Sequence, residues 1–356
     1  MNRVTLGDVC KKASSNIAQK DLNGNEGEYP IYGASGYIKT VDFYHQEEPY
    51  IAIVKDGAGI GRTMLLPAKS SVIGTMQYIL LKEDKSVDLD YLYYAIVHMN
   101  LGKYFSGATI PHIYFKDYQK EPLNLPDMHE QQQIASIFKK IDALISGRKE
   151  QIEHLDELVK SRFIELFGDA DRFETAPLDD NVEEMFIGPF GSSLKNECFV
   201  AADQGYCMVY EQKHAIKQTM DVDTRYIDEK KYDELHRFTV QGGDIIVSCR
   251  GTIGKTFIIP EGAPFGIMHP SIMKIRLKTS AYNRVFFNHL LQTVLERHEA
   301  EANGSGIKMA ITATALGKEY FILPPMELQE QFAAFVSQVD KSKYLKLYNT
   351  PQPAIA

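Results

Sequence analysis

The chain has 356 residues, 44% hydrophobic and 24% charged, with a formal net charge of -8, enough apolar chain for two or three buried cores, which excludes a single small module and a disordered segment. The charge runs -2 over residues 1–128, -1 over 129–168, -5 over 169–326 and 0 over 327–356, so bulk charge cannot hold a nucleic acid and any such contact must come from local patches. No apolar run approaches the ~18 residues of a membrane span. Nothing at Met1 to Gly7 resembles an export signal, and Cys10, Cys198, Cys207 and Cys249 form no C-x-x-C pair, so the expectation is a cytoplasmic protein with reduced thiols and no metal.

In chain order, a strand-like apolar run of the first half, Tyr50 to Val54, enters a glycine loop, Gly57 to Gly61, flanked by Lys55 and Arg62. A second small-residue loop, Ser106 to His112, precedes Leu125-Pro126-Asp127-Met128-His129-Glu130-Gln131-Gln132-Gln133-Ile134-Ala135. There the period changes: Ile134, Phe138, Ile141, Ile145, Arg148, Ile152, Leu155, Val159, Arg162 and Leu166 alternate four and three apart, a heptad seam. Residues 130–167 hold no proline and a single glycine, Gly147. A continuous helix of about 57 Å follows from ~1.5 Å per residue, ended by Gly168, with Gly147 costing about 1 kcal/mol against alanine. One compact domain rarely offers so long a face, so the helix reads as a coiled-coil arm between domains.

The second half repeats this layout. A loop from Gly188 to Lys195 comes first, then Ile245-Ile246-Val247 enters Gly251 to Gly254 and Lys255, and a small-residue loop spans Asn303 to Lys308. Leu323-Pro324-Pro325-Met326 with Gln329 and Gln331 returns the helix entry at an offset of 198 residues. The second helix carries the seam as Phe332, Val336 and Val339, turns polar at Lys343 and Lys346, and is stopped by Pro351. If the two helices pair antiparallel about the dyad of the repeat, position 327 faces 167 and position 347 faces 147. The short helix then covers only the C-terminal half of the long one, and Ile134, Phe138, Ile141 and Ile145 are left for a partner.

Catalytic motifs are missing. Gly254-Lys255-Thr256 invites a phosphate-loop reading, but the glycine required five residues earlier is Cys249. Gly57-Ala58-Gly59-Ile60-Gly61 fails the G-x-G-x-x-G spacing. Neither the Asn-Pro-Pro-aromatic nor the Phe-x-Gly-x-Gly motif of an adenine methyltransferase occurs, and His112 and His269 have no nucleophile in register. No catalytic, cofactor-binding or metal-ligating residue is assigned. Recognition chemistry remains, because glycines let a backbone approach a duplex, hydroxyls bond phosphates, and Arg or Lys reaches base edges. The candidates are Lys39, Lys55, Arg62, His112 and Lys116 in the first half. In the second they are Ser192, Ser193, Lys195, Arg250, Lys255, Asn303, Ser305 and Lys308.

Three groups of residues together resemble the specificity subunits of type I restriction-modification systems: Ile187 to Lys195, Gly243 to Ser248 with Gly251 to Lys255, and Leu323 to Met326 with Gln329 and Gln331. Their first-half counterparts are Tyr32 to Gly36, Asp56 to Gly59 and Leu125 to Gln133. The resemblance covers nearly the whole chain. It implies an α/β (α+β) two-fold repeat with pseudo-two-fold symmetry: target recognition domains at 1–128 and 169–325, a long spacer helix at 129–168, a shortened one at 326–348, and a tail at 349–356. It further implies a non-catalytic subunit that reads a bipartite sequence in double-stranded DNA. The methylase and restriction subunits would be its partners and would carry S-adenosylmethionine, ATP and magnesium, with no membrane partner. Ile134, Phe138, Ile141 and Ile145 would dock the methylase or a second copy of the chain. The readings from other classes are a glycine-loop nucleotide hydrolase and a protein-only interaction scaffold.

Overall fold

A computed structural model describes residues 2–83, 87–107, 111–305 and 312–348, without the side chains of residues 2, 298–305 and 344–348. It divides into two units, Met1–Gly147 and Arg148–Ala356.

In the first unit, β1 (Asn2–Thr5) leads into the short α1 (Leu6–Val9), where the Asp8 carboxylate accepts from the Thr5 backbone N–H at 2.7 Å. Then come β2 (Cys10–Ser14), β3 (Tyr29–Gly33), β4 (Gly36–Val41), β5 (Tyr50–Val54), β6 (Thr63–Leu66), β7 (Ser71–Val72) and β8 (Met76–Leu81). They are followed by α2 (Leu89–His98), α3 (Phe115–Tyr118), β9 (Pro122–Leu125) and α4 (Met128–Phe167). One sheet has the order β2-β8-β5-β6, a second β4-β3-β7, and β1 pairs with β9. β5 is buried along its whole length, as expected of an interior strand covered on both faces. Helix α2 starts at Asp88, which accepts from the Tyr91 N–H at 2.9 Å, and its buried face packs over the first sheet.

The second unit holds the rest of α4 and then β10 (Glu174–Pro177), β11 (Val182–Ile187), β12 (Cys207–Tyr210), α5 (Gln212–Lys217), β13 (Tyr226–Ile227) and α6 (Glu229–Leu235). After these come β14 (Thr239–Val240), β15 (Ile245–Ser248), β16 (Thr256–Ile258), β17 (Gly266–Met268), β18 (Ile272–Leu277), α7 (Arg284–Ser305), α8 (Ala313–Gly317), β19 (Tyr320–Leu323) and α9 (Met326–Tyr348). Its sheets are β11-β18-β15-β16 and β13-β12-β17-β14, with β10 on β19. This repeats the first unit's plan, with the larger sheets in the same strand order and one parallel pair in each smaller sheet, β3 with β7 and β12 with β17, while β14 adds a fourth strand to the second unit's smaller sheet.

Helix α4 is continuous through Gly147 and stops where the Gly168 N–H bonds the Ile164 carbonyl at 2.8 Å. In the second unit its Val159, Phe163 and Phe167 join Phe286 of α7 and Phe332 and Val336 of α9 in one core. Phe332 meets Phe163 and Phe167 at ring distances of 5.4 and 5.8 Å, and Lys343 pairs with Asp156 at 2.6 Å. The helices therefore run antiparallel, displaced by up to about five residues from the dyad expectation, since Lys343 meets Asp156 where residue 151 is expected.

Two expectations need correction. Ile134 is not free: it packs with buried Ala135 against the core of the first unit, while Phe138 stacks on Tyr94 of α2 at 5.0 Å and Asp142 accepts from the Tyr94 hydroxyl at 2.8 Å. The first turns of α4 dock one face on the unit they leave, so the apolar face most open to solvent is Ile137, Ile141, Leu144 and Ile145, 57%, 43%, 65% and 49% exposed, beside Phe138, which Tyr94 covers only in part at 44%. Asn303 and Ser305 are not in a loop, since α7 runs to Ser305. The good helix formers of Arg297 to Ala302 carry the helix through Gly304. Lys308 lies outside the described residues, as do the side chains of Asn303 and Ser305.

Candidate nucleic-acid interface

In the first unit the interface is the β5–β6 hairpin. The Val54 N–H donates to the Arg62 carbonyl and the Gly61 N–H to the Val54 carbonyl, both at 2.9 Å. Gly61 has φ +82, and a Cβ there would lie 2.4 Å from the Gly102 nitrogen, so only glycine lets the hairpin close on that turn. His112 lies far away in sequence yet joins the hairpin: its Nδ1 is 2.6 Å from Asp56, the Gly57 N–H donates to Pro111 and the Ile113 N–H to Lys55, both at 2.9 Å. Lys55 is 3.6 Å from Asp56, and Arg62 donates to the Ala34 carbonyl at 2.7 Å, holding the Tyr32–Gly36 turn against the hairpin. His112 stacks on Tyr114, and Lys116 lies over the same ring at 5.3 Å. Lys55, Arg62, His112 and Lys116 thus form one surface, with Tyr37, Phe105 and Tyr114 exposed around it. Lys39 is not brought to it by any contact among the described residues. Its ammonium donates to the Leu22 carbonyl beside the smaller sheet.

The second unit builds the same hairpin. The Ser248 N–H donates to Lys255 at 2.8 Å, the Gly254 N–H to Ser248 at 2.9 Å, and the Cys249 N–H to Ser271 at 2.9 Å, where in the first unit Lys55 donates to Thr75 at 3.0 Å. This register equates Lys255 with Arg62, Cys249 with Lys55 and Arg250 with Asp56, so the exposed Arg250 is a cation where the first unit has a carboxylate. Lys255 borders the groove between α4, α7 and α9. Because β16 follows the hairpin as a strand, Gly254-Lys255-Thr256 opens no helix that could hold a phosphate, and the nucleotide-loop reading loses its structural context.

The loop after β11 reaches the same sheet end. The Gly188 N–H donates to the Ile272 carbonyl at 3.0 Å, and a Cβ on Gly188 would stand 2.3 Å from the His269 carbonyl. Leu194 is buried, leaving Ser192 and Lys195 exposed and Ser193 half-buried. His269 accepts at Nδ1 from the Ser271 backbone N–H at 3.2 Å. Burial holds its ring below the ordinary histidine pKa; Arg225, Arg250 and Lys213 add to that effect, against Glu211. An Nδ1 that accepts from Ser271 leaves Nε2 as the ring's donor, and burial favours this neutral form. Buried Glu211 pairs with Lys213 at 2.7 Å and with Arg225, which lies 3.8 Å over the Phe199 ring. Sequence reading missed Lys213 and Arg225, since neither neighbours a glycine loop and only the β12–β17 pairing brings them near His269. Among the described residues no three His, Cys, Asp or Glu side chains gather to hold a metal, and no helix is long and apolar enough to cross a membrane.

Two copies of one α/β module, each presenting cations on a glycine hairpin and each ending in a helix, define a duplicated recognition protein. The family model described as type I restriction modification DNA specificity domain matches residues 1–154 and 196–349, and the chain belongs to that family. It is 30% identical over 180 residues to the type I restriction enzyme MjaVIII specificity subunit of Methanocaldococcus jannaschii, 46% of this chain and 41% of that one. It is 24% identical over 149 residues to the EcoprrI specificity subunit of Escherichia coli, 41% of this chain and 37% of that one. The chain thus aligns with about two fifths of the length of each. In fold it is similar to the crystal structure of an S subunit from M. genitalium, with a TM-score of 0.58 at 15% identity over 97% of this chain and 91% of that one.

Proposed function

We propose that this chain is the cytoplasmic DNA-reading specificity subunit of a type I restriction-modification complex, each unit reading one half of an interrupted duplex target. The observation that carries this is the repeated hairpin: the same hydrogen-bond register sets Arg62 in one unit and Lys255 in the other at the same end of the same sheet. Lys and Arg on such a surface neutralise phosphates and, where they reach base edges, discriminate by ~1 to 3 kcal/mol per good contact. Methyl transfer, cleavage and ATP use, with S-adenosylmethionine, ATP and magnesium, belong to the modification and restriction subunits. The open face of α4 at Ile137, Ile141, Leu144 and Ile145 docks a modification subunit. Four side chains about half exposed there forgo about 3 to 6 kcal/mol of burial, half of the ~1.5 to 3 each that a fully exposed one would.

Methylome sequencing of cells expressing the chain with its cognate methylase tests the reading, since an interrupted two-part motif is expected. Replacing residues 169–325 by the corresponding segment of a relative should change one half of that motif and leave the other. Methylation at an uninterrupted site, or both halves changing together, would overturn it.

A further inference from the structure

Phe190 is 87% exposed, the most exposed of the large hydrophobic side chains among the described residues. The loop that carries it is anchored on both sides, by the Gly188 N–H on Ile272, by the Ser193 N–H on the Phe190 carbonyl at 2.8 Å, and by buried Leu194. A side chain held outward by a pinned backbone is presented, not left over. Its surroundings say to what. Pro189 and Leu194 of the loop are buried, so what it exposes beside the ring is Gly191, Ser192, part of Ser193 and Lys195, small polar groups and a cation, not the contiguous apolar patch that a protein partner would need. Ile187 pairs with Met273, and Ile272 also pairs with Ser248. The loop therefore starts two strands, roughly 10 Å, from the hairpin that carries Arg250.

We propose that Phe190 is a stacking wedge of the second recognition unit: the ring presses against one base step of that unit's half-site and partly unstacks it, while Lys195 and Arg250 hold phosphates on either side. A lone aromatic between cations suits a base, because every base has a face to stack on and the flanking backbone is anionic. The inference rests on the half-site reading proposed above.

The test uses the full chain assembled with its methylase subunits and a duplex bearing the motif mapped by methylome sequencing. 2-Aminopurine replaces each adenine of the second half-site in turn. A fluorescence rise at a single step is expected on binding. Phe190→Ala and Phe190→Leu should abolish that rise and weaken binding by about 5- to 150-fold, the ~1 to 3 kcal/mol of a base stacked on an aromatic, whereas Phe190→Tyr should retain both. No rise at any step in the wild-type complex, or a rise that persists in the alanine and leucine variants, overturns the wedge and leaves the half-site reading intact. A wild-type complex that binds the motif no better than a scrambled duplex overturns both.

Discussion

Lys274 sits in β18 with its side chain 1% exposed, its ammonium 2.6 Å from Glu184 and 2.8 Å from the Thr239 carbonyl, and the Phe186 ring 4.7 Å away. Glu184 also takes Arg276 at 3.0 Å. Burial alone would raise the Glu184 pKa. The hydrogen bond from Lys274 and the charges of Lys274, Arg276 and Arg237 outweigh it and hold the carboxyl below its ordinary value. A folded-state pKa depressed in this way adds stability that is present above the unfolded value and lost as pH falls through the folded one. Urea unfolding should therefore show the second unit weakening below the ordinary carboxylate range, with Glu184→Gln less stable at neutral pH and flatter in acid. Parallel pH curves for the two proteins would contradict this. At the interface, Arg250→Ala should relax one base of the methylated motif or reduce the salt slope of DNA binding by about one. Unchanged motif, affinity and slope would make Arg250 an ordinary surface charge.

Helix α4 is tied at its start to the core of the first unit by Ile134 and Ala135, and near its end to the core of the second by Val159, Phe163 and Phe167. Between these contacts lies Gly147, where an added Cβ would find no atom within 4 Å. Gly147→Ala should stabilise the helix by about 0.5 to 1 kcal/mol, read as a raised urea midpoint at unchanged slope, because alanine loses less backbone freedom on folding. The open apolar face gives a second outcome. Ile141→Ser with Ile145→Ser should weaken assembly with the methylase in a solution mass measurement and leave circular dichroism unchanged. Normal assembly of the double variant would show that the partner docks elsewhere. The heptad spacing showed that a seam of this length exists. It did not show which turns the chain's own domains would take, because Ile134 and Ile141 look alike until the core of the first unit packs against one of them.

At the scale of the whole molecule, each unit has its own buried clusters, one beneath β2-β8-β5-β6 and the other where α4, α7 and α9 meet β11-β18-β15-β16. Phe286, fully buried against Phe163, Phe167 and Phe332, belongs to the second alone. Phe286→Ala should cost about 3 to 5 kcal/mol there. In hydrogen exchange, the β15 and β18 amides should lose protection while those of β5 keep theirs. Equal loss in both units would show that they unfold as one.

What this sequence determined alone was whatever depends on local chemistry and periodicity. The 198-residue echo set the two-fold plan, proline-free heptads set a long helix, and glycines beside apolar runs marked both hairpins. Tertiary structure decided what depends on distant residues meeting. Strand register placed Arg250 opposite Asp56 in the repeat, and the β12–β17 pairing assembled Lys213, Arg225 and His269. Packing against the first unit's core took Ile134, and helix propagation from Arg284 absorbed Asn303 and Ser305. The physical reason is that a turn or a helix is specified by neighbours a few residues apart, whereas a binding surface is specified by contacts whose partners the chain brings together only when its sheets close.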